Sequence, residues 1–392
     1  MKGAPLPAGW LKSGHDLWFN GDKSGAIQSV LGALNDHLDV KPAPLILQLA
    51  YYIFLSGDPG SAAQFLELGV TLHPDNTEIL LNAGVCHSRS GNAALAIRRF
   101  QELLSRDPQN FVALDGLCAA LARQRDYAAA RKAGTDALIA KDTLSRARQT
   151  AKSVNLARTS HVIGNRVIAF SLFGTQPRYL RGAIDNMLAA RQFYPGWAVR
   201  FYLDQTVPKG VQDALDALGA ELVLEPPNQS LRERLAWRFK VADDVSVSHF
   251  LVRDVDARLN EREARAVEKW LESGKKVHVM RDWWTHTDLM LAGMWGGTQG
   301  ALPPIWPLLT RYQSKAMETA NIDQWFLRDE IWPIIHKDVL VHDRCFDMPN
   351  TSRWPDPDPE GNFHVGQDEY AVRRDDQAAR IAQWINTLPE LA

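Results

Sequence analysis

Val245-Ser246-Val247-Ser248-His249-Phe250-Leu251-Val252-Arg253-Asp254-Val255-Asp256-Ala257-Arg258 decides how this chain reads. Residues 245–252 are an apolar run interrupted by Ser246, Ser248 and His249, which predicts a strand aimed at the core. Asp254 and Asp256 then stand at the exposed end of that strand, spaced i, i+2. Two carboxylates so placed can hold a hard divalent cation, and the cation can hold a diphosphate. Asp-x-Asp alone is a common pairing, so the surrounding sequence has to carry the reading.

Upstream of the pair, strand and helix patterns alternate. Val167-Ile168-Ala169-Phe170-Ser171-Leu172 is a short β-rich run. Residues 179–193 follow with helical spacing, Leu180, Ile184, Met187 and Leu188 sharing one face, and Tyr194-Pro195-Gly196 stops them. Residues 197–203 alternate as a strand, 211–218 read as a helix, 220–224 as a strand and 231–241 as a second helix. Strand, helix, strand, helix, strand predicts a parallel α/β sheet. Open sheets of this kind bind ligands at the carboxyl ends of their strands, where the Asp pair sits.

The first part of the chain keeps a different period. Ala50 matches Gly84, Gly57 matches Gly91, Ala62 matches Ala96 and Ala130, and Pro74 matches Pro108, each at a spacing of about 34 residues. Four units fit, near 7–40, 43–76, 77–110 and 111–144. This resembles the tetratricopeptide repeat, with small residues where paired helices touch. Such an array leaves a concave surface that can hold a protein partner, or serves as a scaffold; the repeats allow either. Residues 145–163 read as a helical linker. The expected fold class is therefore α plus α/β: repeats over 1–144, the linker, and an α/β domain over 164–392.

Composition narrows the function. The chain has 392 residues with a net charge of −2, so nothing in its charge favours nucleic acid. No apolar run approaches the roughly 18–20 residues that span a bilayer. The opening Met1-Lys2-Gly3-Ala4-Pro5 lacks the apolar core of a secretory signal. A cytoplasmic protein is expected, reaching the inner face of the membrane only through partners. Cys86, Cys118 and Cys345 are far apart, which fits neither a disulfide framework nor a zinc site.

Beyond residue 165 an ordered set of motifs appears: Ser171-Leu172-Phe173-Gly174, Tyr179-Leu180-Arg181-Gly182, Tyr194-Pro195-Gly196-Trp197, Trp237-Arg238-Phe239 with Asp243-Asp244, then the Asp pair. Glu261-Arg262-Glu263, Val279-Met280-Arg281-Asp282 and Gly293-Met294-Trp295-Gly296-Gly297 follow. The series resembles a bacterial family of GT-A-fold glycosyltransferases of the capsule or surface-glycan type, over roughly residues 166–370. The family often has Ser after its Asp-x-Asp, where this chain has Ala257.

The resemblance implies a metal-dependent enzyme that moves a sugar from a UDP- or GDP-sugar donor to a glycan or protein hydroxyl. Asp254 and Asp256 would hold Mn²⁺ or Mg²⁺; the plainer reading is salt bridges to Arg253 and Arg258. A third ligand would be His342, at a predicted strand end, or His364 in Phe363-His364-Val365-Gly366-Gln367. Ser171, Tyr179, Arg238, Asp244, Asp254, Arg281, Trp295 and Gly296 are the expected donor contacts. Asp282 and Asp323 are the candidate catalytic carboxylates, with helix N-capping as the plainer task for Asp323. Residues 293–297 are expected to form a mobile glycine-rich lid or a tight turn. Two rivals remain at this point: a nucleotidyltransferase, which needs a glycine-rich phosphate loop after the first strand, and a non-catalytic adaptor built on the repeats.

Overall fold

The computed structural model describes residues 6–37, 41–148, 164–312 and 321–392. Most of the expected linker, residues 149–163, lies outside them. The chain divides into two compact units, Met1–Ala140 and Lys141–Ala392.

The first unit is built from helix pairs. They are α1 (Lys12–Phe19) with α2 (Lys23–Asp36), α3 (Ala43–Leu55) with α4 (Pro59–Leu72), α5 (Thr77–Arg89) with α6 (Ala93–Leu104), and α7 (Phe111–Arg123) with α8 (Tyr127–Ala147). Each turn inside a pair is set locally. Asp22, Asp58 and Asn92 accept the backbone N–H three residues on, capping the second helix. The residue before each cap is left-handed: Gly21, Gly57 and Gly91 at φ 91°, 95° and 86°, and Arg125 at φ 63° in the last pair. Only the last of these positions carries a side chain. Between pairs, Phe100 of α6 is fully buried against two glycines. A Cβ on Gly84 of α5 or Gly116 of α7 would stand 2.5 or 2.4 Å from its ring. The small residues of the repeat thus make room for one aromatic side chain.

The second unit holds a seven-stranded sheet. Its strands are β1 (Asn165–Leu172), β2 (Trp197–Leu203), β3 (Glu221–Leu224), β4 (Val247–Arg253), β5 (Val277–Arg281), β6 (Met294–Thr298) and β7 (Val339–Asp343). They lie in the order β3-β2-β1-β4-β6-β5-β7. Pairing is parallel except at β6, which runs antiparallel to β4 and β5. Helices α9 (Pro177–Phe193), α10 (Lys209–Ala217) and α12 (Glu261–Ser273) contribute Leu180, Ile184, Val211, Leu215, Val267 and Trp270 to the core against β1, β2 and β4.

The wholly parallel sheet and the lid are both corrected here. Gly296 and Gly297 lie inside β6 rather than in a turn. A Cβ on Gly296 would meet Phe250 O at 2.5 Å, and one on Gly297 would meet the Phe250 ring at 2.8 Å. These glycines let an interior strand sit close on β4, which is the usual meaning of glycine within a sheet. The second helix expected over 231–241 is α11 (Leu231–Ala236) followed by a 3₁₀ turn, Trp237–Asp243.

Candidate active site

The connections after β1 run outward through β2 to β3, whereas β4 lies on the other side of β1. Strand order therefore reverses between β1 and β4, and a crevice opens beyond their carboxyl ends. A cleft of about 470 Å³ lies there, lined by residues that follow both strands. The first group is Ser171, Phe173, Arg178 and Tyr179; the second is Asp254, Val255 and Asp256. Arg238 from the 3₁₀ turn, Asp323 and Gln324 from α14 (Ile322–Phe326), His286, and Asp368 complete the polar wall.

Two guanidinium groups hold the acidic residues. Arg238 is buried and bridges two of them, with Nη1 2.8 Å from Asp254 Oδ1 and Nη2 3.2 Å from Asp323 Oδ2. Arg178 donates from Nε to Asp256 Oδ2 at 2.9 Å and lies 3.2 Å from Asp368 Oδ2. Salt bridges from the pair to Arg253 and Arg258 are not formed. Arg253 pairs with Glu263, and Arg258 with Asp185. Burial, then the neighbouring Asp254 charge, raises the Asp256 carboxyl above the usual range, while Arg178 opposes the rise. Asp323 is pushed up to about 6 by burial, with Asp254 adding to the rise and Arg238 opposing it.

The loop bearing Asp254 and Asp256 is gripped from behind by α9. The buried Asn186 donates to Val255 O at 3.0 Å and Ala257 O at 3.1 Å, and accepts from Leu259 N at 2.9 Å. One turn earlier, a Cβ on Gly182 would stand 2.1 Å from Val255 O. On the other flank, a Cβ on Gly293 would stand 2.0 Å from Asp254 Oδ2. The loop is therefore fixed by a side-chain clamp and by two positions that exclude a side chain.

The structure brings together Ser171, Tyr179, Arg238, Asp254, Asp256 and Asp323. Within that set the Ser171 hydroxyl is already engaged, accepting from Arg238 N and donating to Leu235 O, so it positions the 3₁₀ turn. Asp323 is not the N-cap of α14; Asn321 is, and Asp323 Oδ1 accepts from Gln324 N.

The remaining expected residues lie off the cleft. Trp295 is fully buried edge-on to Phe239 and Phe250, and Gly296 is interior strand, so neither meets a donor. Arg281 is sealed in an ion pair with Asp343. Asp244 precedes β4, at the amino end of the strands and away from the cleft, and pairs with Arg200. Asp282 is buried, pairs with Arg262 and accepts from Val365 N, which ties the end of β5 to the segment leading to Asp368. His342 makes a 2.8 Å hydrogen bond with His278 inside the core. His364 stacks on Trp283.

Arg178, Asp368, Asn186 and His286 are the functional candidates without an assigned role in the sequence reading. Arg178 and Asn186 flank the Tyr179-Leu180-Arg181-Gly182 motif, and their spacing from it on one helix was the available signal. Residues 173–178, the stretch after β1 that only poorly approximates the loop a nucleotidyltransferase would need, are anchored by Gly174 N–H donating to Thr206 Oγ1 at 2.7 Å.

Two carboxylates plus the phosphates of a ligand are a usual complement for Mg²⁺, and Asp254 with Asp256 supply that pair. Among the described residues no group of three His, Cys, Asp or Glu side chains is arranged to hold a metal ion. The described side chains thus form no closed cage there, and Asp254 and Asp256 are each paired with an arginine.

A sequence model of the tetratricopeptide repeat matches residues 54–121. No curated protein matches the chain. Among solved structures, the crystal structure of MamA is 20% identical, with a TM-score of 0.32 over 36% of this chain and 81% of that one. A mutant O-GlcNAc transferase of Thermobaculum terrenum is 18% identical, with a TM-score of 0.35 over 61% of this chain and 44% of that one. A tetratricopeptide repeat protein from Parabacteroides merdae ATCC 43184 is 18% identical, with a TM-score of 0.30 over 35% and 58%. Likeness at this level says nothing of activity. Among the described residues no helix is long and apolar enough to cross a membrane. The chain carries tetratricopeptide repeats in its first unit, followed by a mixed α/β domain.

Proposed function

We propose that the α/β unit is a GT-A-type glycosyltransferase, moving a sugar from a UDP- or GDP-sugar to an acceptor hydroxyl. One observation carries this reading: Asp254, Asp256, Arg178, Arg238 and Asp323 converge on one cleft at the strand-order reversal. Asp254 and Asp256 would hold Mn²⁺ or Mg²⁺, which when bound offsets charge on the departing nucleoside diphosphate. Arg178 and Arg238 offer planar donors suited to phosphate oxygens. Asp323, raised to about 6, is ionised at neutral pH yet basic enough to take a proton from the acceptor hydroxyl. That assignment favours inversion at the sugar carbon. The acceptor is a surface glycan or a protein docked on the repeats. The protein alternative is supported by an apolar hollow of about 250 Å³ in the first unit, lined by Trp10, Tyr51, Phe54 and Val85 among others.

Calorimetric titration with UDP-, GDP-, CMP- and dTDP-sugars tests the reading, with Mn²⁺ and with chelator, on wild type and Asp256→Ala. One donor class should bind with metal, and binding should be lost in the variant. Failure of wild type to bind any of them overturns the proposal. Binding that survives both chelator and the substitution removes the metal from it.

A further inference from the structure

His286 lines the cleft and is 9% exposed. Its Nδ1 accepts a hydrogen bond from Asp282 N at 3.0 Å. A ring nitrogen that accepts carries no proton, so the neutral imidazole keeps its hydrogen on Nε2. His364 meets the ring edge-on, with centroids 5.5 Å apart. Nε2 has no hydrogen-bond partner among the described residues. The backbone thus fixes the tautomer and leaves one uncharged N–H for whatever fills the cleft. A second uncharged group on the same wall is unpaired: the Gln324 side-chain oxygen is buried without a partner.

The ionic groups of the cleft, Arg178 and Arg238 with Asp254, Asp256, Asp323 and Asp368, suit a charged diphosphate and its cation. Neutral donors and acceptors suit a neutral group that both gives and takes hydrogen bonds, which a hydroxyl does. We infer that His286 donates its Nε2 hydrogen to a hydroxyl oxygen of the transferred sugar and so helps to select that sugar. This rests on the glycosyltransferase reading given above.

Two measurements test it. Long-range proton–nitrogen correlation on ¹⁵N-histidine-labelled wild type should show His286 as the Nε2–H tautomer without any ligand; the Nδ1–H tautomer overturns the inference. Calorimetry should then compare UDP and GDP with UDP-glucose, UDP-N-acetylglucosamine and GDP-mannose. The sugar-bearing form of the preferred nucleotide should gain affinity over the bare nucleotide in wild type. His286→Phe should reduce that gain roughly three- to ten-fold and leave bare-nucleotide binding unchanged, while His286→Gln should restore part of it. A gain that persists in His286→Phe overturns the role of His286 alone. Wild type that binds no nucleotide or nucleotide sugar overturns the transferase reading and this inference together. Should His286→Phe not fold, His286→Leu repeats the comparison, and the Nδ1–H tautomer would still overturn the inference.

Discussion

The two units use glycine for the same purpose and meet different neighbours. In the repeats, Gly84 and Gly116 make room for the Phe100 ring, which is fully buried between them. In the sheet unit, Gly182 makes room for Val255 O and Gly296 for Phe250 O, both backbone atoms held by surrounding structure. Displacing that ring costs packing in the repeat. Displacing the strand-end loop also moves Asp254 and Asp256, because Asn186 pins its carbonyls from the same helix that Gly182 belongs to. Glycine thus admits a core ring in the first unit and a site loop in the second.

The contrast can be broken at several points. The largest expected effect is Asp323→Asn, which should lower transfer about 10²- to 10⁴-fold while leaving donor binding in place. The same change bears on stability. The folded carboxyl titrates near 6 against an unfolded value of 3.8, so the native state holds the extra proton between those values. The ionised group is thus a burden, complete above about pH 6 and relieved as pH falls toward 3.8. Asp323→Asn should gain up to about 3 kcal/mol at pH 8, less whatever its Arg238 pairing is worth, and little near pH 4. Denaturant unfolding at the two pH values checks this; an equal effect at both would refute it. In wild type the rate of transfer should rise with pH through about 6 as the base ionises.

Gly182→Ala comes next. Overpacking against backbone should destabilise by about 1–3 kcal/mol and weaken donor binding, because the Asp loop must move. Gly84→Ala should destabilise by a similar amount, because the buried Phe100 ring must move, and leave donor binding unchanged. If both variants weaken donor binding, the distinction between a core ring and a site loop is wrong. Asn186→Ala should cost about 1–3 kcal/mol by stranding Val255 O and Ala257 O, read by chemical unfolding. The smallest effect is Arg125→Gly. It places glycine where the other three turns already have a left-handed one, and should gain up to about 1 kcal/mol in thermal unfolding.

The sequence was most legible where local rules decide. The 34-residue period marks the helix pairs, alternation marks β2, and apolar β-rich runs mark β1 and β4. Of the site, Asp254, Asp256, Arg238, Tyr179, Ser171 and Asp323 meet in the cleft. Residues 293–297 were misread because a glycine cluster looks like a turn until the neighbouring Phe250 is known to press on it. Arg281 and Asp282 follow an apolar strand like Asp254 does, yet each has a buried partner, Asp343 or Arg262, far along the chain. Arg178 with Asp368 is equally long-range: Arg178 stands one residue before the Tyr179 motif, but nothing local announced its partner. Histidine at a strand end is ambiguous in the same way: His342 found another histidine.

The antiparallel run of β6 has a further consequence. Because β5 and β4 point the same way and β6 returns between them, the connection over residues 282–293 begins and ends on the cleft side of the sheet. It carries His286, Leu291 and Ala292 into the wall without crossing to the opposite edge. The segment is packed rather than loose, with Thr287, Leu289 and Met290 buried. The fold thus sets one self-contained connection beside a fixed pair of carboxylates, and single substitutions at its cleft-lining positions probe the wall without rewiring the sheet.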